Sequence, residues 1–381
     1  MTLAVAPRER SEASTRAGLV CFAALSLTMK EIPWGEPLVE LVDDPDWDAE
    51  IMRKMGPKAM SYRYLARSRW LREAMMRGNV AKGSYANDRL ALLAMLVTAQ
   101  ENSCRFCYGA ARAFLKMHGL SEKEIDRVEH DVKTSGADEK ERELLHFCRD
   151  LSRSNPRPAR AQVDRLVSLG YPPLAMVEIA GIVAASCMAN RVSTFLALPL
   201  VLEMEDFSPG LAMRVLLPVK RLLNKPPPPP PVDNLPREDY PFSEVVALLK
   251  GTMGVSVFHM ALVGAFGSTV LPVRTKAWVF AVVGRALDCQ MCEGIATRLL
   301  EKEGIPAEAH QRVLASLAGP ELDATEKVLL PWVRETAHYE TEVMQRKTHE
   351  LRQRVGDDVV LEAIGLAALA NSCARLTMLA Q

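Results

Sequence analysis

Apolar positions along this chain recur at helical spacing. Ser84–Gln100 carries Leu90, Leu92, Leu93, Met95, Leu96 and Val97, a density that predicts a core-facing helix. Cys104–His118 carries Phe114, Leu115 and Met117 and stops at Gly119, a residue suited to the left-handed position past a helix end. Ser121 and Glu124 have the spacing of a capping box and predict the start of another helix. Ala137–Ser152 follows with Leu144, Leu145, Phe147 and Leu151, and Pro172–Leu200 is long and mostly apolar, as a core helix is. No two alternating segments are joined by hairpin chemistry. The expected fold class is all-α.

The pattern occurs twice. At one constant offset Arg89 falls on Arg274, Cys104 on Cys289, Cys107 on Cys292 and Gly109 on Gly294. Ala111 falls on Ala296, Leu115 on Leu300, Gly119 on Gly304, Leu144-Leu145 on Leu329-Leu330, and Arg149 on Arg334. Arg191 meets Arg375 after a slip of one residue. A tandem duplication of one helical unit accounts for this register. Between the units run six prolines, Pro226–Pro231. They cannot enter a helix or a sheet ladder and favour a stiff polyproline II spacer of roughly 20 Å. The expected division is an extension over 1–30, a helical domain over 31–205, a proline-rich linker over 206–240 and a second helical domain over 241–381, the two arranged with pseudo-twofold symmetry.

Residues 1–16 are polar and Arg-rich and precede the apolar run Ala17–Leu27. The run resembles a signal peptide but lacks a small-residue cleavage site before Met29-Lys30. A disordered or mis-started extension and a cytoplasmic protein are expected. Gly251–Val273 has no Asp, Glu, Lys or Arg along its whole length, which is enough to cross a bilayer. Its glycines, His259 and Pro272 instead predict a buried helix between domains or chains. The 47 Lys and Arg balance 47 Asp and Glu, so long-range attraction to nucleic acid is not built into the chain.

Eight cysteines are too few for a disulfide scaffold in a chain of 381 residues. Cys21, Cys148, Cys187 and Cys373 stand singly in apolar or helical surroundings and read as small core residues. The other four form two C-x-x-C pairs, Cys104/Cys107 and Cys289/Cys292. Asn102 or Ser103 can cap the first helix and Asp288 the second. That would put each leading cysteine in a first turn, where free N–H groups and the helix dipole favour a thiolate. Three-residue spacing brings both sulfurs to one helix face, close enough for a disulfide. Zinc held by four thiolates is an alternative. It fits poorly with pairs that lie far apart in the chain, either side of the proline run, at the heads of apolar helices. A retired site whose cysteines persist as packing is another.

The C-x-x-C at a helix head, the turn Gly119–Ile125, the helix Glu141–Phe147 and the closing apolar helix Ala184–Val192 together resemble the alkylhydroperoxidase D-like branch of the carboxymuconolactone decarboxylase family. The second half resembles it more loosely, through Cys289–Cys292, Gly304-Ile305, Leu329–Trp332 and Leu369–Leu376. The resemblance implies an all-α, homo-oligomeric protein with thiol peroxidase or disulfide-exchange activity and one dithiol in each half. It implies that Cys107 and Cys292 attack peroxide, while Cys104 and Cys289 resolve the product and exchange with an external dithiol, a reductant protein or a lipoyl group. No metal, separate cofactor, nucleic acid or membrane is called for; the redox disulfide itself does the work.

Two positions depart from the family pattern. The His expected four residues after the second cysteine is Ala111 or Ala296, and the Glu expected about twelve before the first is Leu92 or Ala277. Glu101 and Tyr108 in the first half, and Arg285 and Glu293 in the second, are the nearby substitutes for a proton relay. His118, His146 and His259 are more remote candidates. With Arg105 beside it and no acidic neighbour like Asp288 or Glu293, the first pair should be the more reactive. The competing readings are a non-catalytic helical scaffold and a lactone decarboxylase. The last gives no reason for C-x-x-C, because its chemistry runs through acid and base groups.

Overall fold

The structure, a computed structural model, describes residues 29–49, 56–80, 83–130, 138–153, 160–200, 210 and 240–380. The extension before residue 29 and the proline run lie outside the described residues. Among those described, every regular element is a helix. In the first half these are α1 (Arg69–Val80), α2 (Asp88–Glu101), α3 (Arg105–Met117), α4 (Glu122–His130), α5 (Glu139–Arg153), α6 (Arg160–Ser168) and α7 (Pro173–Phe195). The second half contributes α8 (Ser243–Ala247), α9 (Gly254–Gly267), α10 (Val273–Ala286), α11 (Gln290–Lys302), α12 (Ala307–Ser316), α13 (Ala324–Glu335), α14 (Thr341–Val355) and α15 (Asp357–Leu376). The first residues of α1, α2, α3, α4 and α5 fall on those of α9, α10, α11, α12 and α13 in the same register that places Cys104 on Cys289.

Local chemistry sets these boundaries. The Asn87 side chain accepts from the Leu90 N–H at the head of α2. Ser121 and Glu124 form the reciprocal capping box that starts α4, the Ser121 N–H reaching a Glu124 carboxylate oxygen at 2.7 Å and the Glu124 N–H reaching Ser121 Oγ at 3.3 Å. Asp323 and Glu326 form the same box on α13. The long apolar helix expected over 172–200 ends earlier, at Phe195. There Ala197 turns left-handed and the Ala197 and Leu198 N–H groups close back onto Thr194 and Ser193.

Helices α7 and α15 are long and apolar enough to cross a membrane by length and composition, but 67% and 94% of their apolar windows are buried inside the protein. They pack against each other at its centre. Ser372 Oγ of α15 donates to the Ala184 carbonyl of α7 at 2.8 Å. The apolar segment around residue 260 forms α9, 14 residues long, and packs against α1 of the first half. Trp70 of α1 is the wedge. A Cβ on Gly264 would lie 2.8 Å from Trp70 Cβ, and one on Gly365 would lie 2.7 Å from the far end of its ring. Only glycine leaves room at either place. Its indole N–H donates to Glu362 at 2.6 Å. One apolar core therefore joins the segment from Leu38 to Met75 with the second half, while a smaller one lies within the first half among α2–α5 and α7.

Two buried arginines fasten the halves reciprocally. Arg191 of α7 donates to the carbonyls of Thr336 and Ala337, at 2.7 and 2.5 Å, just past the end of α13. Arg375 of α15 donates to the Ser152 carbonyl in the last turn of α5, at 2.7 and 3.1 Å. A helix C-terminus carries unpaired carbonyls and partial negative charge, so each guanidinium is solvated by the helix end of the opposite half. Burial and the proximity of Arg375 lower the pKa of Arg191 to about 9, still charged at neutral pH. Arg375→Met should destabilise the protein by about 3 kcal/mol, because it leaves buried carbonyls unpaired. Denaturant unfolding checks this against an exposed control, Arg346→Met, for which the midpoint should scarcely move.

Candidate dithiol site

The two cysteine pairs sit on the same backbone device. At the end of α2, the Ser103 N–H bonds the Gln100 carbonyl and the Cys104 N–H bonds the Ala99 carbonyl; Asp288 and Cys289 repeat this on Arg285 and Gly284. This is a Schellman motif, which normally places glycine at its left-handed residue. Here Ser103 (φ 47°) and Asp288 (φ 54°) take that conformation at some cost in strain. The chain reverses within two residues and sets the leading cysteine at the head of the next helix.

Cys104 and Cys289 are therefore themselves the N-cap residues. This corrects the expectation that Asn102, Ser103 or Asp288 would cap. The left-handed turn points Ser103 and Asp288 away from capping geometry, and the Asn102 amide instead donates to Cys187 Sγ at 3.5 Å. In the second pair the cysteine sulfur does the capping, accepting from the Cys292 N–H at 3.3 Å.

In the first pair Cys104 is buried and Cys107 is partly exposed, and both are free thiols. Cys107 opens into a pocket of about 80 Å³ whose walls include Leu65, Met75, Met95, Phe106 and Phe114. Ser193 of α7 stands at its polar end, with Cys107 Sγ 3.6 Å from Ser193 Oγ. Asn190 lines it too, with its side-chain N–H donors unpartnered. Behind Cys107, Cys104 is buried. Burial raises the Cys104 pKa, but hydrogen bonding with Cys107, Thr194 and Tyr339 outweighs it and brings it below the usual thiol value. Cys107 goes the other way, raised by its hydrogen bond to Cys104 and by burial. The two thiols therefore titrate as a coupled pair that binds one proton tightly.

The substitutes suggested by the sequence are engaged elsewhere. Glu101 pairs with Arg149 and Arg153. The Tyr108 hydroxyl accepts from Arg112 at 3.1 Å, and burial raises its pKa. Arg285 and Glu293 pair with each other at 2.7 Å. His118 lies at the far end of α3, and His259 packs edge-on against Tyr240. Ala111 does line the pocket. Sequence reading missed Ser193, Thr194 and Tyr339. Ser193 and Thr194 are two among several polar residues of α7, with Glu178, Ser186, Asn190 and Arg191, so nothing local singles them out, and nothing local marks Tyr339.

The second pair is sealed. Cys289 and Cys292 are only 2% and 1% exposed. In the shared register the pocket-lining Ala110 and Ala189 become the larger Ile295 and Cys373, both buried. Thr377 Oγ1 lies 3.1 Å from Cys289 Sγ, and the Cys292 thiol is raised well above its ordinary value by its hydrogen bond to Cys289 and by burial. Among the described residues no three His, Cys, Asp or Glu side chains are grouped to hold a metal ion. Comparison with known protein families, curated proteins and solved structures finds no match to this chain.

In the native chain a small alkylating reagent should modify Cys107 well before Cys289 or Cys292, which should react only after denaturation. Peptide mass mapping over time reads the order. Simultaneous labelling of both pairs would show that the second is not closed.

Proposed function

We propose that this chain is a thiol-dependent oxidoreductase of the alkylhydroperoxidase D-like type, derived from a tandem duplication, with its working dithiol at Cys104 and Cys107. The observation that carries the reading is a partly exposed sulfur facing an apolar pocket with a second, buried sulfur behind it. The substrate is a peroxide or a disulfide, and an external dithiol returns the pair to the reduced state. The sealed second pair fits a structural role, so this reading departs from one active dithiol per half.

The missing histidine poses the main chemical problem, and the pair supplies an answer. Cys104 as thiolate accepts the Cys107 proton while the Cys107 sulfur attacks the terminal peroxide oxygen. The O–O bond breaks, leaving a sulfenic acid on Cys107 and an alkoxide. The alkoxide takes the proton from Cys104 and leaves as the alcohol. The regenerated Cys104 thiolate then attacks Cys107 Sγ and displaces hydroxide, so two thiols are oxidised to a disulfide as one peroxide is reduced. Burial of Cys104 suits it to the second step, which is intramolecular.

Cys107→Ser should abolish peroxide consumption. Cys104→Ser should leave a sulfenic acid on Cys107 that dimedone traps. Ala111→His would place a base on the pocket wall, and base assistance is typically worth about 10²–10⁴-fold. Because Cys104 already accepts the Cys107 proton, the gain in peroxide turnover should fall below that range, at about tenfold. No loss of turnover in Cys107→Ser would overturn the assignment.

A further inference from the structure

Helix α7 lines the pocket beside Cys107 with a polar stripe. Ser186, Asn190 and Ser193 all border it, and their spacing of four and then three residues puts them on one side of the helix. The rest of the wall is largely apolar and includes Met75, Met95, Phe106 and Phe114. The three polar side chains differ in what they already hold. The Ser186 hydroxyl donates to the Ile182 carbonyl at 2.8 Å, so its proton is spent. Ser193 Oγ lies 3.6 Å from Cys107 Sγ and marks the reacting end of the pocket. Between them the Asn190 amide nitrogen meets no partner, although the residue is only 2% exposed.

A buried donor without an acceptor is destabilising, and such groups are rare in folded proteins. Here the donor borders a cavity, where an acceptor carried in by a ligand completes it. The second half provides the comparison. In the shared register Ser193 falls on Thr377, while Ser186 and Asn190 fall on Ala370 and Ala374, both buried. The sealed pair has kept a hydroxyl beside its sulfur, Thr377 Oγ1 at 3.1 Å from Cys289 Sγ, and has no amide at this place. The unspent donor goes with the open pocket.

We infer that the Asn190 side-chain amide binds the leaving oxygen of the substrate at Cys107. The inference rests on the peroxidase reading of the site. As the Cys107 sulfur takes the terminal oxygen and the O–O bond breaks, the bonding pair passes to the second oxygen, which carries the organic group. That oxygen accepts a hydrogen bond from Asn190, which sits about 4.5 Å back along α7 from Ser193. The amide keeps its proton, and the proton of the departing alcohol still comes from Cys104. A fixed donor in an apolar pocket stabilises charge that appears only as the bond breaks. At about 80 Å³ the pocket has roughly half the 150 Å³ that accepts a benzene ring, and it suits an organic group of about four carbons.

The test uses tert-butyl hydroperoxide as substrate and tert-butyl alcohol as its unreactive product, on the full chain and its Asn190→Leu variant. Leucine keeps the shape and removes the donor. The Asn190 backbone carbonyl, which accepts from the Tyr339 hydroxyl at 3.0 Å, is untouched. Peroxide turnover should fall about 10²-fold, the order of loss for one such donor. The alcohol should protect Cys107 from alkylation, and the variant should need about fivefold more of it. No protein group loses a partner, so the unfolding midpoint should not fall, whereas loss of a structural asparagine would lower it. Asn190→Asp, which turns the donor into an acceptor at neutral pH, should lose at least as much turnover and serves if Asn190→Leu does not fold. Unchanged turnover in a folded variant would overturn the inference. So would a loss of turnover accompanied by a lowered unfolding midpoint. A native chain that consumes no peroxide, yet whose protection by the alcohol weakens in Asn190→Leu, would overturn the peroxidase reading and uphold the donor. Unchanged protection in that case would overturn both.

Discussion

Two buried guanidinium groups, each spent on the carbonyl end of a helix in the opposite half, govern how the rest of this molecule is arranged. Arg191 and Arg375 lie on the two central apolar helices, and burying them there is costly unless their donors are satisfied. The Arg191 Nε is left unpaired, but their other nitrogens are engaged. The carbonyls they meet are ones that a helix end leaves unpaired. This exchange fixes α7 against α15 and brings the loop after α13 onto the head of α3.

The C-x-x-C spacing determines less than its neighbourhood does. Both pairs have the same turn, the same left-handed residue before the first cysteine and the same helix start. They differ in what surrounds the second sulfur. Cys107 has alanines beside it and an apolar pocket in front, with Ser193 at its edge. Cys292 has Ile295 one turn on, and Cys373 lies at the place corresponding to Ala189. A few methylene groups and a sulfur atom are enough to close a pocket of about 80 Å³. The neighbouring charges that sequence reading used to rank the two pairs point the same way, but burial is the stronger reason.

Much of the fold was legible because its determinants are local. The capping box at Ser121 and Glu124, the C-terminal glycine at Gly119 and the apolar spacing of α2, α5 and α7 all act within a few residues. The helix caps beside the cysteines were not legible, because Ser103 and Asp288 look like caps until the turn before them is known. The site was legible only as far as its sulfurs. Thr194 is one of several polar residues on α7 and nothing local distinguishes it. Tyr339 lies far beyond Cys104 in the chain, on the other side of the proline run, and only the packing of the halves brings them together. The wedge at Trp70 was hidden for the same reason, since the glycines that accommodate it lie on α9 and α15.

The central claim is that one dithiol, and not two, carries the chemistry. The most direct measurement is to titrate the fully reduced chain with less than one equivalent of an organic hydroperoxide and map its disulfides by mass spectrometry. The account predicts a Cys104–Cys107 disulfide formed in proportion to the peroxide consumed, with Cys289 and Cys292 still reduced. Thiols left unchanged while the peroxide persists, or a disulfide formed first at Cys289 and Cys292, would contradict it.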